Sequence, residues 1–201
     1  MSTLVLASRN AGKLTEMQAL LAPQRWQVRL LSEFSEGAAA EEAPTFVENA
    51  IAKARYAAAA SGLPALADDS GLEVEALQGA PGVHSARYAG ANAGDAANNA
   101  QLLAALADVP DAARGARFIC VMAFLRHAED PVPVLAQGEW RGRILGAPRG
   151  DGGFGYDPLF EVTELGCSAA ELSREQKQVR SHRGQAMRAL LAQLPRGGDS
   201  G

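Results

Sequence analysis

Cysteine is almost absent: Cys120 and Cys167 are the only two, each set among apolar or small residues. They could pair in principle, but nothing suggests a secretory context, so both read as reduced thiols. Histidine is scarce too, and His84, His127 and His182 have no spacing that suits zinc. No window approaches the ~18 uninterrupted apolar residues that a membrane span requires. The opening MSTLVLASRN lacks a basic start followed by a long apolar run. The expectation is therefore no signal peptide and a soluble, cytoplasmic protein with no membrane partner. Positive charge is in deficit, with a net charge of −4 and a pI near 5.4. A broad basic surface for DNA or RNA is thereby disfavoured. If the ligand is a polyanion, its positive partners must be gathered in a pocket. The G-x-S-x-G elbow and any nucleophilic cysteine context are missing, which argues against covalent acyl chemistry. The glutamate-rich R-E-x-x-E-E helix of Nudix enzymes is missing as well.

What remains is an ordinary globular composition, 47% hydrophobic and 21% charged over 201 residues. A chain of this length buries roughly 70% of the surface that its unfolded form exposes. We expect one α/β domain over 1–196, or two intimately packed lobes, with a flexible tail at 197–201. Thr3–Ala7 is an aliphatic strand, Ser8–Gly12 a polar turn, and Lys13–Leu21 a helix carrying Leu14, Met17 and Leu21. Val28–Leu31 reads as a second strand. Thr45-Phe46-Val47-Glu48 matches a capping box ahead of an alanine-rich helix that Gly62 and Pro64 stop. Ala65–Asp68 reads as a strand ending in acid, and Leu72–Leu77 as a separate half-buried strand. Residues 78–94 look like loop, and 95–107 like a helix. Arg117–Leu125 is the strongest central strand, paired with Val132–Trp140. Ala186, Met187, Leu190, Leu191 and Leu194 lay an apolar stripe on a last helix.

Polar clusters fall at the ends of these elements, where α/β proteins place their sites. Ser8-Arg9-Asn10-Ala11-Gly12-Lys13 joins a strand to a helix, so its N–H groups and Lys13 suit an anion. It is not a P-loop, because Ala7 and Leu14 stand where that motif needs glycine and Ser or Thr. A solvated helix start fits equally. Asp68-Asp69-Ser70-Gly71 offers adjacent carboxylates before a tight turn, which suits a hard divalent cation; a self-bonded turn also accounts for it. Glu41 and Glu42 are solvated or complete a metal site, while Glu48 caps its helix. In Gly152-Gly153-Phe154-Gly155-Tyr156-Asp157, glycines let backbone approach a flat ligand while a ring stacks on it. A glycine-rich hairpin is the plainer alternative. Lys177 and Ser181-His182-Arg183-Gly184 bring cations to a helix start, where they oppose its dipole and so do not serve stability.

Taken in order, ASRNAGK, TFVENAIAKAR, ALADDSGLEV, GAPGVHSARYAG, GGFGYDPLF and K-x-x-x-x-HRG resemble the inosine/xanthosine triphosphate pyrophosphatase family, its bacterial branch above all. The likeness runs from about Leu4 to Leu194. It implies an α/β fold with a long twisted mixed sheet, flanking helices and two lobes around a central cleft. It also implies Mg²⁺, a homodimer, and hydrolysis of ITP, dITP or XTP to the monophosphate and diphosphate. Carried over by position, Ser8, Arg9, Asn10, Ala11, Gly12 and Lys13 hold the triphosphate. Asp69 binds metal and activates water, Asp68 assists, and Ser70 touches the ligand. Phe154 stacks on the base in a pocket shaped by Gly155, Tyr156 and Asp157. Lys177, His182 and Arg183 read base and phosphate oxygens. One departure stands out. The family's usual acidic metal ligand lies five residues before the position of Thr45, where this chain has Ala40. Glu41 takes that part if the loop shifts by one, with Glu42 next. Rival readings are a related septum-site pyrophosphatase acting on modified pyrimidine triphosphates, and a nucleotide sensor without turnover.

Overall fold

The computed structural model describes residues 2–9 and 11–194, with side chains throughout except at 11–13 and 16. The expected tail at 197–201 lies outside the described residues. The first aliphatic run forms β1 (Ser2–Leu6). Helix α1 (Ala11–Leu21) begins ahead of the expected Lys13, because the first turn of a helix needs no internal N–H partner and tolerates a polar, glycine-bearing start. Strand β2 (Trp26–Leu30) lies parallel to β1, with Val28 opposite Leu4.

Helix α2 (Phe46–Ser61) buries Phe46, Ala50, Ala54, Ala57 and Ala58 along one stripe. Its cap forms only in part as expected. The Glu48 N–H donates to Thr45 Oγ1 at 3.2 Å, but the Glu48 carboxylate accepts the Thr45 hydroxyl at 2.6 Å. Gly62, at φ 68°, closes the helix by donating its N–H to the Ala58 carbonyl.

Next comes β3 (Ala65–Val74), one unbroken strand. The tight turn expected at Asp68–Gly71 is absent, and the two strands expected here are one. Asp, Ser and Gly favour turns when judged locally; β3 instead sits between two other strands of the sheet, and that pairing overrides the local preference.

A 3-10 turn, Gly82–Arg87, occupies part of the long loop and leads to α3 (Asp95–Ala105). Then follow β4 (Gly115–Leu125), β5 (Val134–Ile144), and the short β6 (Phe160–Val162) and β7 (Cys167–Ser168). Helices α4 (Arg174–Arg180) and α5 (His182–Leu191) finish the chain, and α5 buries Ala186, Met187 and Leu190 as its apolar stripe requires. The sheet order is β2-β1-β3-β4-β5-β6-β7. Strands β2 and β3 run parallel to β1, whereas β6 is antiparallel to β5 and to β7, so the sheet is mixed.

The chain forms two compact units: residues up to Asp69 with Val121–Gln137 and the chain from Ala186, and Ser70–Cys120 with Gly138–Gln185. Val5, Leu31, Ala57, Ala58 and Ala65 pack together in the first, where Trp26 also meets Phe124 edge-on at 5.9 Å. In the second, Phe118, Trp140 and Phe160 form an aromatic cluster, with Phe118 and Phe160 centroids 4.5 Å apart. Burying each such ring contributes about 1.5–3 kcal/mol. Gly142 permits this packing, since a Cβ there would lie 2.7 Å from the Phe160 ring. Both cysteines are free thiols, as expected. Among the described residues no helix is long and apolar enough to cross a membrane.

Candidate functional site

Asp69 is buried on β3 and meets Lys53 of α2, whose Nζ donates to Asp69 Oδ1 at 2.8 Å. The same ammonium lies 3.3 Å from Glu41 Oε1. Burial, the largest cause, raises the Asp69 carboxyl and Glu41 adds to the rise; together they outweigh Lys53 and an Asn49 hydrogen bond, so Asp69 is held above the usual carboxylate range. Burial pulls Lys53 down, but Asp69 first, then Glu41 and Asp68, more than reverse this and hold it above the usual lysine range. Successive side chains of a strand point to opposite faces. Asp68 therefore leaves the Asp69 face and reaches Lys53 through its charge. Glu42 is exposed.

This donor set suits a hard divalent cation. Asp69 and Glu41 converge on one positive atom, and both present oxygen. Among the described residues no three His, Cys, Asp or Glu side chains gather into a cage. A partial protein shell matches Mg²⁺, which keeps waters and takes phosphate oxygens beside one or two carboxylates.

Of the opening turn, Ser8 is half-buried and donates its N–H to the Leu6 carbonyl at 2.7 Å. Arg9 donates to the Gly37 carbonyl at 3.2 Å. Asn10 and the side chains of Ala11, Gly12 and Lys13 lie outside the described residues, although the backbone of 11–13 opens α1.

The second concentration of polar groups surrounds Phe154, a large hydrophobic residue that is 63% exposed. Lys177 Nζ sits 5.2 Å and Arg183 Cζ 5.6 Å from its ring centroid, so two cations border one aromatic ring. Arg183 also donates to Ser70 Oγ at 3.2 Å. Lys177 is held by Asp157 at 2.5 Å, and the same carboxylate oxygen accepts the Phe154 N–H at 2.8 Å. Gly153 must be glycine, with φ +77° and no room for a Cβ beside Asp157. Tyr156 is buried and donates its hydroxyl to the Ser85 carbonyl at 2.8 Å; burial pushes its phenol well up. Asp157 and Tyr156 thus anchor the loop from within. His182 is the first residue of α5 and stacks on Phe118 at 4.8 Å, which fixes its ring plane.

Several residues of the site carry no clear mark in the sequence. Lys53 sits inside the TFVENAIAKAR motif, and its i+4 spacing from Asn49 puts both on one face of α2. That spacing is the one signal available for it. Asn49 itself is buried, donating to the Ala43 carbonyl and accepting the Ala43 N–H. Asp95 accepts the Gly155 N–H at 2.6 Å, and Asn99 donates to the Gly155 carbonyl at 2.9 Å. Nothing in the local sequence announces that contact.

The fold is that of an α/β protein with a mixed sheet, and its polar groups gather at a buried carboxylate–ammonium pair and, separately, around an exposed phenylalanine. The chain is a member of the Ham1 family, whose profile matches residues 4–193. It is 61% identical over 190 residues to the dITP/XTP pyrophosphatase of Pseudomonas aeruginosa, covering 94% of this chain and 95% of that protein. To the dITP/XTP pyrophosphatase of Pseudomonas syringae pv. tomato it is 58% identical, covering 96% and 98%. Among solved structures, a HAM1 protein from Coxiella burnetii superimposes with a TM-score of 0.92 at 49% identity, covering 96% of this chain and all of that one. The resemblance drawn from the motifs is borne out.

Proposed function

We propose that this chain hydrolyses non-standard purine nucleoside triphosphates (ITP, dITP and XTP) to the monophosphate and diphosphate, clearing damaged nucleotides. The observation that supports it best is the buried Asp69 carboxylate held by the Lys53 ammonium, with Glu41 beside it. Separately, Ser70 receives Arg183, which borders the Phe154 ring. Relatives at this level of identity are named dITP/XTP pyrophosphatases.

In the mechanism, Asp69 accepts the proton of a water as its oxygen bonds to the α-phosphorus. The bond from that phosphorus to the bridging oxygen breaks, and diphosphate leaves with the electron pair. Lys53 fixes the orientation of the carboxylate. Ser8–Lys13 hold the triphosphate, with Lys13 and Asn10 as the main contacts. Asp69 and Glu41 would hold Mg²⁺, with Asp68 adding charge, and the bound cation would supply neutralisation of the phosphate oxygens. Phe154 stacks on the base, and Lys177, His182 and Arg183 read its oxygens and those of the phosphates. The working form is a cytoplasmic homodimer.

Selectivity follows from donors aimed at a 6-oxo group, since a 6-amino group would set donor against donor. Sites built on such a bond discriminate by roughly 10⁴-fold. Diphosphate release from dITP and dATP, measured with Mg²⁺, tests this: a strong preference for dITP is expected, and equal kcat/KM values overturn it. Release of no diphosphate from any triphosphate would leave a sensor instead.

A further inference from the structure

Phe154 is mounted on a backbone that has no regular structure to hold it, and Gly155 beside it takes φ +60°. Three side-chain bonds fix this segment. Asp157 accepts the Phe154 N–H from within the loop. The other two come from the first turns of α3: Asp95 accepts the Gly155 N–H and Asn99 donates to the Gly155 carbonyl. These two residues lie four apart and so share one face of the helix. One helix thus grips both the N–H and the carbonyl of the residue after the exposed ring. Between them Asn98 accepts the Ala89 N–H at 2.9 Å and donates to the Ala86 carbonyl at 3.2 Å. The segment so held adjoins Ser85, whose carbonyl receives the Tyr156 hydroxyl. The start of α3 therefore organises the loop that carries Phe154 by two routes. A carboxylate at a helix N-terminus is also where the helix dipole favours it.

We propose that Asp95 and Asn99 are positioning residues for nucleobase binding: they clamp Gly155 and thereby aim the Phe154 ring at the base. The inference rests on the reading of Phe154 as the base platform. Both side chains bond the backbone of Gly155 and neither bonds Asp69 or Lys53, so the clamp acts on KM and on base selectivity, not on the chemical step.

The test is a double-mutant cycle on dITP and dATP hydrolysis using Phe154→Ala, Asp95→Ala, Asn99→Ala and each pair with Phe154→Ala. Competitive inhibition by inorganic tripolyphosphate, which has no base, is measured in parallel. Expected is a roughly tenfold rise in KM for dITP in Asp95→Ala and Asn99→Ala, with kcat within about threefold. The preference for dITP over dATP falls, and tripolyphosphate inhibition stays unchanged. In the Phe154→Ala background the clamp substitutions then add little, because their effect passes through the ring. Should Asp95→Ala fail to fold, Asp95→Asn and Asn99→Ala carry the same comparison. Full, additive losses in the Phe154→Ala background, or an equal loss of tripolyphosphate binding, would overturn the clamp. An unchanged KM for dITP in Phe154→Ala itself would overturn the base-platform reading, and the clamp with it. A raised KM there, beside unaltered Asp95 and Asn99 variants, would remove the clamp alone.

Discussion

Lys53 is the residue on which the acidic cluster turns, because its ammonium lies 2.8 Å from Asp69 Oδ1 and 3.3 Å from Glu41 Oε1. Its loss leaves a buried carboxylate without its partner. Asp69 can relieve this by taking a proton, so Lys53→Met should cost about 1–3 kcal/mol in a chemical denaturation series at pH 7. The sign on activity follows as well. Lys53 lowers the Asp69 value, and burial raises it. Removing Lys53 should therefore push Asp69 further up and move the acid limb of the kcat/KM profile to higher pH. An acid limb that stays in place would separate Lys53 from Asp69. Asp69→Asn should lose about 10²–10⁴ in kcat while still binding dITP, measured by diphosphate release and by equilibrium titration; a fully active variant would take Asp69 out of the catalytic role.

The turn joining β4 to β5 shows how one buried acid can hold an element. Asp130 is 1% exposed and accepts from the Arg126 N–H and guanidinium and from the Val132 N–H. The hydrogen bonds of Arg126, the largest cause, hold its carboxyl far below the ordinary value of 3.8, even against burial. A carboxyl whose folded value is depressed favours the ionised fold, so its stabilisation is complete above the unfolded value and drains away as pH falls below about 4. Asp130→Ala should lower the Tm by about 3–8 °C at pH 7, and the difference from the unmodified chain should shrink towards pH 3. A difference that grows on acidification would reverse the assignment. In β5, a Cβ on Gly142 would press into the Glu161 carbonyl, so Gly142→Ala should displace β6 and lower the Tm in the same scan.

At the scale of the whole molecule, stability and turnover should separate under chelation. The cores are apolar, and among the described residues no metal cage ties the chain together. EDTA should therefore abolish diphosphate release while leaving the Tm within about 2 °C, compared by calorimetry with and without Mg²⁺. A large fall in Tm would mean that the cation is structural. Sedimentation at micromolar concentration should show the homodimer, and a monomer mass there would overturn that part of the proposal.

Periodicity and turn chemistry by themselves determine much of this protein. The aliphatic run of β1, the alanine-rich α2 between Thr45 and Gly62, and the apolar length of β4 are local signals, written in neighbouring residues. The ordered motifs also suffice to name the family. Strands β6 and β7 are too short for a repeat to emerge. Helix α4 does carry a legible start, since Ser173 accepts the Gln176 N–H in a capping box. Only tertiary pairing decides that Asp68–Gly71 runs on as strand, because the sheet supplies bonds that a turn would otherwise make for itself. The same holds for the meeting of Lys53 with Asp69 and of Asp95 with Gly155, which are 16 and 60 residues apart in the chain. Contacts at such separations are set by the packing of whole elements, and no pattern within either segment encodes its partner.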